Sequence, residues 1–509
     1  MDRRQVLITV FAAITMIVTV WLYGGHNPWM LCVSAACSIF TFLWLFLPTS
    51  EHGCGQSAKE NFFKLLRFPL FWIGLLLFAY ILVQWARPQY EMLLGGKVWH
   101  MFKIIDQPSM AFPTSISAPF GFGEKTACTS PLRQFCILGN AWLMLCTLWC
   151  GLSSRRAIKW LTLIFIGNAL LAAMFGIYQQ VMGINYYLGA RTFHFGPFFY
   201  TNHAAEFFAM NIALCTGIAL RSWRESAMRF ERGGWHLPLA VVALFFIIAA
   251  IATNSIGGSF IAIAWIPIAV VLIFCSRLLD KKSIVFFSVF AAVIAGLGVF
   301  WFSNANLNAY FNKIDAKIKN SEIPDIAGEN ENATNPATAE DKEEKKFFVF
   351  AQGDRKKLRD LSEKIYFYNP QSGDWWTDHH TQIYGWGAGS YRWIAPAFQR
   401  KMPELSYLNK KTGKREIHSY ANYAHCDIWN MLVEWGAAGT GIFICGVLWF
   451  WGWALANIRR WRLSSVAYLV GIALFIFHGT VDFMIYSPFL ALTLALIVAN
   501  FKLDLAQKN

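Results

Sequence analysis

Three stretches of this chain hold residue types suited to gripping an anion or moving a proton. The first runs from Arg191 through Gly196 to Asn202, His203 and Ala204. A guanidinium binds phosphate oxygens with two parallel N–H donors, although an arginine at a helix end also snorkels to a membrane interface. Asn202 and His203 open an apolar block, where an asparagine also serves as a helix cap. The second pairs Arg355 with Tyr384-Gly-Trp-Gly-Ala-Gly-Ser-Tyr-Arg392. Glycines 385, 387 and 389 permit tight turns and close approach to a ligand, but they lack the strand-to-helix setting of a dinucleotide fingerprint. Arg355 reads equally as one charge of the basic segment that ends at Arg359. The third is Ala424-His425-Cys426-Asp427, followed by Glu434, Trp435 and Gly436. An imidazole titrates near working pH, as a general base must, while Asp427 also suits a helix start. Asp378, His379 and His380 are adjacent, yet no further ligands stand at metal-site spacing, so no metal is expected.

The elements that carry these residues are membrane helices. The 509 residues are 56% hydrophobic and only 15% charged, where a soluble chain has about a quarter charged. Apolar residues fall in blocks of roughly 18–22, the length of a membrane-crossing helix. Twelve such spans are expected: 6–24, 29–48, 69–86, 134–151, 160–182, 203–220, 237–254, 256–276, 284–302, 435–457, 463–481 and 486–501. The first block is long for a signal peptide and lacks a small-residue cleavage site, so it reads as a retained helix. The net charge of +14 sits in short clusters between blocks, which argues for membrane topology and against nucleic acid.

Placing both termini in the cytoplasm puts Arg3 and Arg4, Arg155 and Arg156, Arg221 to Arg232, Arg277 to Lys282 and Arg459 to Arg462 inside, as the positive-inside rule requires. All three stretches then face outward. Residues 1–302 form spans one to nine, with an outer loop at 87–133 that holds Gly95, Gly96 and Lys97. Residues 303–434 form a large, partly helical outer loop, and 435–509 the last three spans and a tail. Within the large loop, 320–346 is rich in Glu, Asn, Lys and Ala and reads as mobile. Eleven cysteines show no CxxC or zinc spacing, and Cys128 and Cys426 both fall on the outer side.

These stretches, in this order, resemble the O-antigen ligase and polymerase family of bacterial surface-glycan assembly. Gly196-Pro-Phe-Phe-Tyr-Thr-Asn202-His203-Ala204 is similar to the family's GxFxNxNHxA segment. Arg355 with Gly385-Trp-Gly-Ala-Gly-Ser390 is similar to R…GxGxGSF, and Ala424-His425-Cys426-Asp427 through Glu434-Trp435-Gly436 to AHNDxxxxLxExG. His478-Gly-Thr-Val-Asp482-Phe483 with Pro488 resembles HxxxDFxxxxP. The likeness runs from about residue 190 to the C-terminus.

The resemblance implies an all-α polytopic membrane protein of the C-type glycosyltransferase fold in the bacterial inner membrane, with its active site periplasmic. It implies transfer of a glycan from undecaprenyl diphosphate to an acceptor hydroxyl, with no metal, nucleotide sugar or other cofactor. Arg191, helped by Lys97, Arg355 or Arg392, would stabilise the diphosphate leaving group. His425 would orient or deprotonate the acceptor. Twelve spans with a large loop after the ninth look most like the ligase, whose acceptor is lipid A-core. O-antigen or exopolysaccharide polymerase and protein O-oligosaccharyltransferase are the alternatives. A lipid-linked glycan transporter is the reading from another class. Carriers show repeats and ionisable residues inside spans, of which Glu206 is the main instance here. Two positions depart from the family pattern: Ile256 replaces the arginine of an SRGG segment, and Cys426 replaces an asparagine.

Overall fold

A computed structural model describes residues 3–47, 58–95, 98–103, 112–117, 131–184, 186–188, 190–191, 195–228, 234–276, 352–408, 415–417 and 421–506. Eight helices among them are long and apolar enough to cross a membrane: α1 (Arg3–Trp21), α4 (Pro69–Ala86), α5 (Pro131–Gly151), α6 (Arg155–Met182), α7 (Thr201–Met228), α9 (Ile256–Ser276), α13 (Asp427–Ala456) and α15 (Pro488–Leu505). Three apolar helices are shorter: α2 (Pro28–Leu43), α8 (His236–Ala252) and α14 (Leu463–Gly479). Four more are less apolar or short: α3 (Ala58–Leu66), α10 (Gln352–Tyr366), α11 (Trp375–Tyr384) and α12 (Tyr391–Gln399). The chain is a helical membrane protein. The expected span 284–302 and the segment 320–346 lie outside the described residues.

Inside a bilayer every backbone N–H and C=O must be satisfied within the chain, which long helices achieve. Pro28, Pro69 and Pro488 each start a helix, at the position where a missing N–H costs nothing. Helices α7 and α15 form the centre, with 89% of each apolar window buried, while α4 is only 22% buried and faces outward. Around α7 pack α8, α9 and α14. Small polar residues join α1, α2 and α5 by hydrogen bonds, among them Thr15 to Thr41 (3.0 Å) and Asn140 Nδ2 to Ser34 Oγ (2.5 Å). Such side chains tie helices where the hydrophobic effect between them is weak.

One end of the bundle carries a roof built from described residues of 88–117 and 352–424. Residues 88–95, 98–103 and 115–117 form a small sheet, an addition to the all-α expectation. Strand β1 (Pro88–Gly95) pairs antiparallel with β2 (Val98–Lys103), from Tyr90 opposite Lys103 to Gly95 opposite Val98, and parallel with β3 (Ser115–Ser117). Met92 and Ile116 of this sheet share a core with Leu358, Leu361 and Ile365 of α10 and with Tyr391 and Ile394 of α12. The spacing of 358, 361 and 365 puts one apolar stripe of α10 on that core.

The roof is bolted to the bundle through the last turns of α4. The Tyr80 hydroxyl lies 2.8 Å from Tyr384 O and 2.6 Å from Trp435 O, and shares its proton between them. Gln84, fully buried, donates from Nε2 to Tyr384 O (2.9 Å) and Glu434 O (3.1 Å) and accepts from Ala388 N–H (3.0 Å). Gln84→Leu strands the Ala388 N–H, at a cost of about 1–3 kcal/mol for a buried unsatisfied donor, and removes one of two donors from each carbonyl, Tyr384 O keeping Tyr80 and Glu434 O keeping the Gly387 N–H. A clear drop in Tm of the detergent-purified protein is the expected result, and an unchanged Tm refutes this role for Gln84.

Candidate functional site

The site grows from three chain segments that meet on one carboxylate, Asp482. This residue lies in the turn between α14 and α15 and is fully buried. Its Oδ1 accepts from His425 Nδ1 at 3.0 Å and from the Phe483 N–H at 2.9 Å. Its Oδ2 accepts from Asn202 Nδ2 and, at 3.3 Å, from Arg355 Nη2. A second guanidinium nitrogen of Arg355 donates to Val481 O at 3.3 Å. Asn202 is held in turn by Ser255 Oγ, which donates to its Oδ1 at 2.6 Å.

Each partner arrives for a local reason. The turn at Phe195–Phe198 buries both phenylalanines in the core and delivers Asn202 and His203 to the first turn of α7. Asn202 therefore spends its side chain on Asp482 rather than on capping. His203 Nε2 lies 3.0 Å from Phe483 O; a carbonyl only accepts, so the proton is on Nε2. His425 precedes α13 with φ of 49°, a left-handed conformation uncommon for a residue with a side chain. Strain of this kind collects at sites the surrounding structure over-determines. Here Asp482 holds the Nδ1 edge of the ring, and the Phe483 ring packs against it in a T-shaped contact at 5.1 Å. The His425 side chain is 13% exposed, so the imidazole keeps an opening.

Burial alone would push the Asp482 carboxyl up. The hydrogen bond and charge of His425, with the charges of Arg355 and His478, outweigh burial and hold it well below the ordinary aspartate range. The sign of the stability effect follows. A carboxyl depressed by folding contributes stability that is fully present above its ordinary value of about 4 and is lost as pH falls through the depressed one. Thermal stability of the wild type therefore owes no loss to Asp482 between about pH 5 and 8, and the Asp482 contribution disappears only in strong acid. A Tm profile for wild type and Asp482→Asn checks this: the gap between them stays constant over that window and narrows below it.

The remaining expected residues fall in several places. Asp427 accepts from the N–H groups of Met484 (3.1 Å) and Ile485 (3.3 Å), fixing the far side of the Asp482 turn. Glu434 is buried and accepts from Tyr391 N–H (3.4 Å) and Tyr486 OH (3.3 Å). The close approach that the glycines allow is to the chain itself. At Gly385 (φ 75°) a Cβ would run into the backbone of Glu434 and Gly436, while Trp386 N–H bonds Val433 O (2.8 Å) and Gly387 N–H bonds Glu434 O (2.9 Å). Gly436 (φ 62°) breaks α13 at the same contact, and Gly387 and Gly389 also have positive φ. The glycine stretch is thus a backbone joint that docks the roof on α13.

Among the expected cations, Arg355 reaches Asp482, with 24% of its side chain exposed. Arg392, on α12, lies over the Trp393 ring at 5.4 Å instead. The backbone of Arg191 is in a two-residue strand, β5 (Ala190–Arg191), paired opposite Tyr186 of β4 (Tyr186–Tyr187) on the link between α6 and α7; its side chain lies outside the described residues. Lys97 and Cys128 also lie outside them. Cys426 is buried, which pushes its thiol up and keeps it neutral. Asp378 accepts from Ser372, while His379 bonds Trp375 O and His380 bonds Phe112 O, so the three do not converge. Among the described residues no three His, Cys, Asp or Glu side chains are grouped to hold a metal.

Asp482, which the motif likeness includes without a role, is the residue on which the candidate site converges. Its signal was present: an acidic residue at the end of an apolar block, four after a histidine, marks a site by default. No protein-family model matches the chain, and no curated protein matches it.

Proposed function

We propose that this protein is a metal-independent glycosyltransferase of the O-antigen ligase type. It would move a glycan from undecaprenyl diphosphate to an acceptor hydroxyl, with lipid A-core the favoured acceptor. Twelve spans, a periplasmic site and an inner-membrane location belong to the same reading. The observation that carries it is the His425–Asp482 pair at the mouth of a helical membrane bundle, with Arg355 beside it.

The chemistry follows from the donors and acceptors. An ionised Asp482 can only accept, so the neutral His425 ring carries its proton on Nδ1 and its lone pair on Nε2. Nε2 would take the proton of the acceptor hydroxyl as its oxygen attacks the sugar carbon joined to diphosphate. The bond from that carbon to the diphosphate oxygen breaks, and the imidazolium formed is stabilised by Asp482. The diphosphate leaves with its charge met by cations, Arg191 first and the exposed edge of Arg355 next. The small polar and basic groups of the site are enough for this reaction because the leaving group is already good.

Arg191→Ala is expected to lower transfer by about 10²–10³-fold, as loss of one preorganised donor to a developing anion does. Wild-type activity in that variant would move the diphosphate assignment to another cation. The reading as a whole is tested in the source cell. Deletion of the gene should remove the whole lipopolysaccharide ladder and leave polymer on the lipid carrier. Core bearing one repeat would indicate a polymerase, and an unchanged ladder would contradict the lipopolysaccharide assignment.

A further inference from the structure

Among the described residues, a buried ionisable pair has no task in the mechanism above. Glu206 Oε2 lies 2.8 Å from His478 Nδ1, with the two side chains 1% and 0% exposed. Both sit inside apolar helices, α7 and α14, where ionisable groups are costly and mark function by default.

Their placement relative to the site is regular. Glu206 is one helical turn below Asn202 on α7, and His478 is four residues before Asp482. The two elements are joined by two rungs, Asn202 to Asp482 and Glu206 to His478. The carbonyl of His478 also receives the N–H groups of Val481 (3.0 Å) and Asp482 (2.9 Å), which form the turn that carries the site carboxylate. Whatever fixes His478 therefore fixes the aim of Asp482. Gly257, at the head of α9, closes over the other side of the ring: a Cβ there would stand 3.1 Å from His478 Nε2. That nitrogen is buried with no hydrogen-bond partner among the described residues. The ring thus has one directional anchor, Glu206, and a tight wall opposite.

An apolar pair of similar volume would hold two helices together at least as well. What an apolar pair lacks is a directional bond that selects one rotation and depth. We propose that Glu206 and His478 are positioning residues for the transfer reaction, their hydrogen bond fixing the turn that presents Asp482 to His425. This rests on the glycan-transfer reading of the same site.

The test uses the full-length protein in lipid nanodiscs, with Glu206→Ala, the isosteric Glu206→Gln, and Asp482→Asn alone and combined with Glu206→Ala. Amide hydrogen exchange of the peptide covering 480–487 reads the turn directly, whatever the reaction is. Steady-state rates with an undecaprenyl diphosphate-linked glycan read the consequence. In Glu206→Ala, exchange in that peptide should rise while α5 and α15 stay protected. Its kcat should fall about 10- to 100-fold with little change in donor KM, the loss expected from a displacement of about 1 Å. Glu206→Gln keeps an oxygen for the His478 N–H and should recover most of the rate. In the Asp482→Asn background the Glu206→Ala loss should largely vanish, because both act through one carboxylate. Wild-type exchange in Glu206→Ala, or losses that simply add, would overturn the proposal. If the wild type transfers no glycan, the parent reading falls, while the exchange result still decides whether the pair holds the turn.

Discussion

His425→Ala is expected to lower glycan transfer by about 10²–10⁴-fold, the contribution of a positioned general base. The loss should appear in kcat, since the proposed proton transfer occurs only as the acceptor oxygen attacks. Donor affinity should change little because the diphosphate is assigned to arginines. The fold should survive, as the side chain is at the mouth of the site and removing it leaves Asp482 still bonded by Asn202, Arg355 and the Phe483 N–H. A variant that folds and transfers at the wild-type rate would remove His425 from the mechanism. Total loss of folded protein would contradict the placement instead.

Asp482→Asn is expected to cost on the order of 10³-fold or more, although it changes only one heavy atom. The carboxylate accepts from four donors, and an amide cannot. If the new carbonyl faces Asn202 and Arg355, the amide nitrogen faces His425 Nδ1. That nitrogen must then offer its lone pair, which moves the ring proton to Nε2 and removes the base from the reacting side. If the amide is turned round, its N–H groups oppose the donors of Asn202 and Arg355. Either way the tautomer or the packing is wrong. Breaking a buried charge pair from one side also costs about 3–5 kcal/mol of stability. Rate and Tm should therefore both fall, where His425→Ala lowers mainly the rate. Equal activity of Asp482→Asn and wild type would refute the tautomer assignment.

Much of the scaffold was legible because a bilayer allows few solutions. Apolar blocks at 69–86 and 256–276 coincide with α4 and α9, since burying a helical backbone in lipid leaves the sequence little choice. The sheet at 88–117 was not legible. Its partners β1 and β3 are more than twenty residues apart, and its inward residues face a core supplied by α10 and α12, which local pattern does not reveal. Span ten was expected from 435, whereas α13 starts at Asp427 and breaks at Gly436. The apolar signal begins only after the two turns that carry Asp427, Asn430 and Glu434.

The site was legible as residue types and not as a connected object. His425, Asn202 and Arg355 were picked out by type and spacing, yet nothing local says that one carboxylate more than fifty residues from each joins them. The glycine stretch misled in the opposite way. Positive φ and small size serve ligand approach and backbone docking equally, and only the contact of Gly385 with Glu434 and Gly436 tells them apart. Gln84 and Tyr80 carried no signal, since a polar residue in the last turn of a span reads as an interface residue until its partners are known.

The most direct measurement is made with the purified protein in nanodiscs, an undecaprenyl diphosphate-linked glycan, and lipid A-core as the acceptor. The wild type should consume the donor and release undecaprenyl diphosphate as the acceptor gains the glycan, without added metal, and His425→Ala should leave the donor intact. Donor that stays chemically intact with well-folded wild type, while crossing the bilayer, would contradict the transferase account and identify a carrier.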